Sequence, residues 1–590
     1  MTAPADLLKN AGYRPELVTL GEHGESSFRH AEEFRQKVGF DTLKRLVALN
    51  KPEINQTLKN IIIPDGFDFD RDWLAPTGVH EFGTKPGQEI FIQGNKGEKI
   101  QIMGVRMQDN IVTKSLPQDQ VKKAGIIPVG GGVRVSFVEA KNESDKVWTF
   151  STPEKDKNRM IDEAGGLSGA MVPKNTAQNF RERLIDVLVK MKREDLIPMA
   201  EKISIGGGAK GDIIVALPKE IIELEKKGGD SKKLAEEMKK DLVTKALFAA
   251  GYQLTEMGAI GPETDRAAGD KNTTSTLGGR PVMEWLADGA IAYVHNAGEI
   301  PDENYIRSGV SGKGADGLSS RFYATGLGGW ASTLAYAELN GIDVKGKKVM
   351  SRGVGSAVNK ALIEAVKAGM IVNCIADASG IIVKDGSFTV GEIEELYQVS
   401  VEEKASIVDW ARNKENMTLY YDPSPELPEK ERFTQIAKKV TEFWQAEKPD
   451  FIFEAATQET LNENTAEFVP DGAVVTEFAN GATTPLAAEI LNKKNVQRIP
   501  GINSNGGGVF VSWFEWAQSI LKVNFPPELV DQAVIQLMKD NMRETWELIS
   551  AARENGITNV NQENVFYSLA IAKGLAERQR LEEIIRSNVN

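Results

Sequence analysis

The sequence predicts an α/β protein of several units: a doubly wound parallel sheet in its second half, a mixed α/β region ahead of it, and an α+β extension on the N-terminal side. Three observations carry this. At 590 residues the chain exceeds what one core organises, so domain-size scaling asks for roughly two to four units. Between about 85 and 151, short β-rich runs are separated by Gly, Asn and Lys turns. From 346, the strand pattern GKKVMSRGVG runs into a glycine turn and then the helical pattern NKALIEAVKAG, the opening βα unit of a doubly wound sheet.

In chain order, residues 28 to 50 place Phe34, Val38, Leu43, Leu46 and Val47 at helical spacing and predict a docked helix. EIFIQG, KIQIMGVRM, GVRVSFVEA and KVWTFST then predict an antiparallel meander. A helix is expected from 176 to 193, a glycine-rich turn at 206 to 211, a short strand in IIVALP and amphipathic helices to about 250. After a helix at 327 to 339 come the βα unit and further strands in MIVNCIA, DFIFEA and AVVTEF. The last 60 or so residues read as helices.

Composition excludes several classes. With 41% hydrophobic and 26% charged residues the chain is ordinary globular protein. A net charge of −13 argues against a nucleic-acid or anionic-membrane surface, which requires clustered cations. Cys374 is the single cysteine, so no intrachain disulfide forms and a reducing compartment is expected. His23, His30, His80 and His295 lack metal-ligand spacing, so no metal site is expected. The first residues carry neither a basic start nor an apolar stretch, and no apolar run reaches about 18 residues; the expectation is a soluble cytoplasmic protein that meets neither membrane nor nucleic acid.

Four motifs carry chemistry. Gly353 and Gly355, with Ser356 opening the next helix, form a Gly-x-Gly turn where backbone N–H groups and a helix N-terminus suit a pyrophosphate, although Val358 stands where a third glycine is usual. Asp377, about 22 residues beyond Gly355, is positioned either for ribose hydroxyls or simply as a turn aspartate in ADASG. GGGAKGD at 206 to 212 sets Lys210 among glycines; it lacks Walker spacing, but a lysine partly desolvated in a cleft is a usable base. IGPETDRAAGD ends in Asp270, with Asp265 also available, on a loop suited to proton transfer. The most specific stretch is EFANGATTPLAAEIL at 477 to 491 followed by INSNGGGVFVSWFEWAQ at 502 to 518.

Those last two segments resemble the glutamate, leucine, phenylalanine and valine dehydrogenase family, as do GGGAKGD, DRAAGD and RFYATGLGG (321 to 329), in the family's order. The resemblance implies a substrate domain paired with a Rossmann-like nucleotide domain. It implies Lys210 and Asp270 as catalytic residues, Thr325 and Asn480 near the nicotinamide ring, and Gly353, Gly355, Ser356 and Asp377 on the rest of the cofactor. Gly165, Gly166, Lys202, Asn505 and Ser512 would meet the substrate, Ser512 in the side-chain pocket. The implied reaction is hydride transfer from an L-amino acid Cα to NAD or NADP, with a lean to NAD because the Asp377 carboxylate repels a 2′-phosphate. Lys210 would activate water on the resulting iminium, Asp270 would exchange protons with departing ammonia, and a 2-oxo acid would leave. A homo-oligomer, hexameric by family analogy, is expected.

Two departures bear on substrate. AGGLSG at 164 to 169 puts Ala164 where glutamate enzymes carry a lysine for the distal carboxylate, and an unpaired buried carboxylate is costly unless another cation, such as Lys174, serves. The α-carboxylate lysine has no single register, with Lys192 and Lys202 both candidates. Ser512 favours glutamate and Ala164 a neutral amino acid, while a catalytically lapsed sensor is the alternative outside enzymes. The expected units are an extension at 1–152, a substrate domain at 153–322 completed by helices from about 518 to 590, and a dinucleotide domain at 323–517.

Overall fold

The computed structural model describes residues 27–58, 61–69, 79–82, 90–93, 99–102, 104–107, 117–126, 160–161, 177–203, 215–216, 219–256, 267–268, 276–277, 280–298, 302–312 and 317–589, apart from 404, 413, 425, 457, 458, 480 and 559. Helix α1 (Ser27–Ala48) buries Phe40, Leu43 and Leu46 in a cluster with Leu548, Ile549, Leu569 and Ile571 near the other end of the chain. The Ser568 hydroxyl, donating to Gly39 O at 2.7 Å, fixes that docking.

The β-rich region pairs differently from a meander. Ile90–Gln93 pairs antiparallel with Lys99–Ile102, but Val79–Phe82 reaches past both to pair with Gly104–Met107. KIQIMGVRM is therefore two strands in two sheets; GVRVSFVEA and KVWTFST lie outside the described residues. Helix α2 (Ala177–Lys190) packs Phe180, Leu184, Val187 and Leu188 inward at i, i+4, i+7 and i+8. Short strand Val215–Ala216, inside IIVALP, pairs with Met160–Ile161. Helices α3 (Gly229–Glu256) and α4 (Val282–Asn296) follow, and α5 (Ala324–Leu339) leads into the main sheet.

That sheet has seven strands: β1 (Lys348–Arg352), β2 (Ile371–Asp377), β3 (Gly380–Lys384), β4 (Met417–Tyr421), β5 (Phe451–Glu454), β6 (Val474–Glu477) and β7 (Gln497–Ile499), in the spatial order β4-β3-β2-β1-β5-β6-β7. β2, β1, β5, β6 and β7 run parallel, β3 pairs antiparallel with β2, and β4 pairs antiparallel with β3, so β3 alone runs against the rest. β5 and β6 are buried along their whole length, as apolar runs covered on both faces must be. Helix α6 (Ser356–Lys367) returns the chain from β1 to β2, packing Val358, Ala361, Leu362 and Ala365 on the sheet. Val358, which breaks the glycine pattern, is thus core. Helices α7 (Glu429–Glu447) and α8 (Pro485–Lys493) cover the sheet further along.

The βα unit agrees with expectation, but the step after β2 does not follow the usual crossover. β2 and β3 form a tight hairpin in which Asp377 faces Gly380. The chain ends in α9 (Gly507–Leu521), α10 (Pro527–Glu554) and α11 (Gln562–Val589). α9 and α10 share a core with α2, built from Phe180, Phe510, Trp513, Phe514, Trp516 and Leu537. Arg181 of α2 reaches Glu577 of α11 through bonds of 2.6 and 3.1 Å and also donates to Ile203 O. Among the described residues no helix is long and apolar enough to cross a membrane.

Candidate functional site

The order reversal between β1 and β5 opens a crevice at the carboxyl ends of these strands, where doubly wound sheets bind ligands. β1 delivers the chain into Gly353, whose φ of +113° is natural only to glycine. A Cβ there would sit 2.7 Å from Ala455 O at the end of β5. The Gly353 N–H donates to Ala376 O at 2.7 Å and the Ser351 hydroxyl to Gly353 O, so the turn is tied to β2. Gly355 caps α6 with ordinary angles, and a Cβ on it would meet nothing within 4 Å. Space is therefore open in front of a 12-residue helix N-terminus whose first N–H groups favour an anion. The Ser356 hydroxyl lies 3.3 Å from Tyr397 Oη. A glycine turn, a clear approach and a helix dipole at the switch point fit the pyrophosphate of a dinucleotide.

Asp377 ends β2 beside this turn. The Ser379 N–H and hydroxyl donate to its Oδ1 at 2.7 and 2.6 Å, so the carboxylate does turn work. Burial raises its pKa above the usual value despite those bonds. Behind the glycine turn, Arg352 Nη1 approaches Glu454 at 3.2 Å and donates to Thr460 O, while the Thr460 hydroxyl donates to Glu454 at 2.9 Å. Burial pushes the Glu454 carboxyl up, opposed first by the Arg352 charge and then by Thr460.

The other end of the crevice is built by α5 and α9. Gly507 and Gly508 let the two helices nearly touch: a Cβ on Gly507 would be 2.2 Å from Ala324 O, and one on Gly508 2.7 Å from Thr325 Oγ1. This approach gathers Thr325, Arg321 and Ser512. Arg321 Nε donates to Ser512 Oγ at 2.7 Å, and Arg321 Nη1 lies 3.6 Å from the position of a Gly508 Cβ. Asn505 is buried just before α9 and donates to Phe478 O at 3.2 Å, holding the end of β6. Glu515, also buried, accepts from the Gly312 and Leu318 N–H groups at 2.8 Å each and so fixes both residues against α9. α5 reaches the phosphate end too, since a Cβ on Gly326 would stand 3.0 Å from Lys360 Cβ on α6.

Of the residues singled out by sequence, the structure thus brings Gly353, Gly355, Ser356 and Asp377 together at one end and Thr325, Asn505 and Ser512 near the other. Lys202 is exposed on the surface, its Nζ beside Gly125. Lys210, Asp270, Gly165, Gly166 and Asn480 lie outside the described residues, as do Ala164, Lys174 and Asp265. Sequence reasoning gave Arg321 no role. Its signal was a lone cation three residues before the glycine-rich start of α5, whose meaning depends on Ser512, 191 positions away.

The profile of the family described as Glutamate/Leucine/Phenylalanine/Valine dehydrogenase matches residues 317–573. The chain is 29% identical over 315 residues to a glutamate dehydrogenase of Thermotoga maritima, covering 53% of this chain and 64% of that protein. It is 25% identical over 291 residues to an NAD-specific glutamate dehydrogenase of Clostridioides difficile, covering 49% and 61%. These alignments span a little under two thirds of both relatives. Among solved structures, Plasmodium falciparum glutamate dehydrogenase superimposes with a TM-score of 0.55 at 17% identity, covering 93% of this chain and 95% of that one. The hetero-hexameric glutamate dehydrogenase of Thermus thermophilus, in its Leu-bound form, gives 0.50 at 20% identity, covering 92% and 96%. Both likenesses speak to fold.

Proposed function

We propose that the chain is a divergent member of the glutamate/leucine/phenylalanine/valine dehydrogenase family, whose model matches residues 317–573, and that it catalyses the reversible NAD(P)-dependent oxidative deamination of an L-amino acid, glutamate first. The observation that carries the substrate choice is the Arg321–Ser512 hydrogen bond of 2.7 Å. Ala164 removes the expected lysine, and Arg321 supplies a permanent cation beside the serine of the side-chain pocket. A guanidinium binds a carboxylate through a planar fork and needs no particular pH to stay charged.

Gly353, Gly355 and Ser356 hold the pyrophosphate, and Thr325 and Asn480 border the nicotinamide. When bound, the nicotinamide accepts the hydride from the amino-acid Cα. The protein's part is to orient that carbon and manage protons. Lys210 activates the water that attacks the substrate iminium, and Asp270 exchanges protons with the leaving ammonia. Asn505 holds the end of β6, and Glu515 holds Gly312 and Leu318, in fixed relation to α9. Asp377 inclines the choice toward NAD. The working units are 1–152, 153–322 with the helices from about 518, and 323–517, assembled as a homo-oligomer.

A panel of L-amino acids with NAD and with NADP, followed by absorbance of the reduced cofactor, tests this. Turnover of glutamate with release of ammonia is expected. A neutral amino acid turned over while glutamate is inert would overturn the role given to Arg321. Retained cofactor binding without turnover of any amino acid would make the chain a sensor.

A further inference from the structure

β5 and β6 each end in a buried glutamate, Glu454 and Glu477, where the strands otherwise hold apolar or hydroxyl side chains. Each accepts from a threonine six residues further on: the Thr460 hydroxyl donates to Glu454 at 2.9 Å and the Thr483 hydroxyl to Glu477 at 2.6 Å. The two threonine segments are joined in turn, because the Glu459 N–H donates to Gly481 O, the Leu461 N–H to Ala482 O and the Thr484 N–H back to Leu461 O, each at 2.9 Å. Asn480, proposed beside the nicotinamide, immediately precedes Gly481 in the chain. Arg352 connects this short ladder to the pyrophosphate turn. It is the last residue of β1, directly before Gly353, and its side chain is only 9% exposed. Its Nη1 donates to Glu454 at 3.2 Å and to Thr460 O at 3.1 Å, while the guanidinium lies 5.7 Å from the centroid of the Trp444 ring. The Arg352 carbonyl accepts from the Ala455 N–H at 2.8 Å, and Ala455 O is the atom that a Gly353 Cβ would meet.

A buried ion pair often contributes no more net stability than apolar side chains of similar volume. What it does supply is direction: charge-assisted hydrogen bonds fix a distance and an angle, which apolar packing leaves loose. We propose that Arg352 and Glu454 are positioning residues for the cofactor. They hold the Thr460 and Gly481 segments at a set distance from the Gly353–Ser356 turn, so that Asn480 meets the nicotinamide half of a dinucleotide whose pyrophosphate rests on that turn. The pair thus governs how the two halves of the cofactor are held together, and the turn alone holds the pyrophosphate. This rests on the proposed dinucleotide site and names the residues that set its span.

The full-length parent, the double variant Arg352→Met with Glu454→Met, and Thr460→Val are compared by fluorescence titration with NADH and NADPH. Each is also titrated calorimetrically with ADP, which carries a pyrophosphate without the nicotinamide. The double variant removes both charges at once and strands neither. Thr460→Val keeps the pair but cuts the hydroxyl tie to the next segment, so it carries the test if the double variant does not fold. The reduced cofactor that the parent prefers should bind at least about 10-fold more weakly to the double variant and about 3-fold more weakly to Thr460→Val. ADP affinity should stay within about 2-fold of the parent's, with the melting temperature unchanged. Parent-like cofactor affinity in every variant that folds would show that the pair serves folding alone, and overturns the proposal. A loss of ADP affinity as large as that of the reduced cofactor overturns it too. A parent that binds neither reduced cofactor overturns the dinucleotide site itself, and the proposal with it.

Discussion

At the residue scale, Gly353 and Gly355 look alike in sequence but differ in cause. Gly353 needs glycine for the fold, since its φ of +113° and the 2.7 Å approach to Ala455 O both exclude a side chain. Gly355 needs it only if something occupies the open space before α6. Gly353→Ala should therefore lower stability by about 2 kcal/mol or more in denaturant unfolding, whereas Gly355→Ala should leave stability nearly unchanged and weaken NADH binding, read by fluorescence titration. Equal stability losses would contradict this division. Arg321→Lys keeps charge but loses the fork, so KM for glutamate should rise at least 10-fold with little change in NADH affinity. Arg321 itself was not legible beforehand, because a cation gains meaning from what faces it across a helix crossing. Ser512 stood out because its neighbours form a fixed motif, and the structure sets it against Arg321; Lys210 lies outside the described residues.

Elements were legible where periodicity was strong. The helices at 28 to 50 and 176 to 193 and the βα unit at 348–367 emerge within a few residues of expectation. The β2–β3 hairpin was missed, because ADASG reads equally as the turn after a strand and as a ribose-binding loop. β3, the edge strand β4 and the helix between them were not separable from loops either. That helix, Val390–Tyr397, starts with a capping box: Thr389 N–H and hydroxyl donate to Glu392 at 2.7 and 2.8 Å, and Glu392 N–H donates back to the hydroxyl. Burial raises the Glu392 pKa, but bonds from Lys384 and Thr389 outweigh it and hold the carboxyl below its ordinary value. A depressed folded pKa contributes stability above the unfolded carboxyl pKa and loses it as pH falls through the folded value. Glu392→Gln should hence cost a few tenths to about 1 kcal/mol near neutrality after solvent screening. The gap in melting temperature from the parent should close as pH drops below about 4; a gap that stays constant with pH would show that charge is not the cause.

Across the whole molecule, α1 packs on α10 and α11, segments over 500 residues apart in sequence. Composition and length predicted several units, but not that α1 would dock on α11, since no local pattern names a partner over 500 residues away. The same is true of the buried network in which Arg498 of β7 meets Glu477 of β6 at 2.8 Å and Glu563 of α11, while Glu477 also accepts from Thr483 and the Gly501 N–H. Removing one partner strands buried charge, so Arg498→Leu should cost about 3–5 kcal/mol, whereas exposed pairs such as Arg412–Asp409 should contribute under about 1 kcal/mol. Double-mutant cycles on unfolding would separate the two. All of this scaffolding frames the crevice, with the Gly353–Ser356 turn proposed for a dinucleotide at one end and Arg321 and Ser512 at the other. The most direct test is the rate of NADH or NADPH oxidation with 2-oxoglutarate and ammonia in the parent and in Lys210→Ala. Ammonia-dependent turnover is expected in the parent and a loss of several orders of magnitude in the variant, with NADH binding intact. Parent-like rates in Lys210→Ala, or no ammonia-dependent oxidation in the parent with either cofactor, would contradict it.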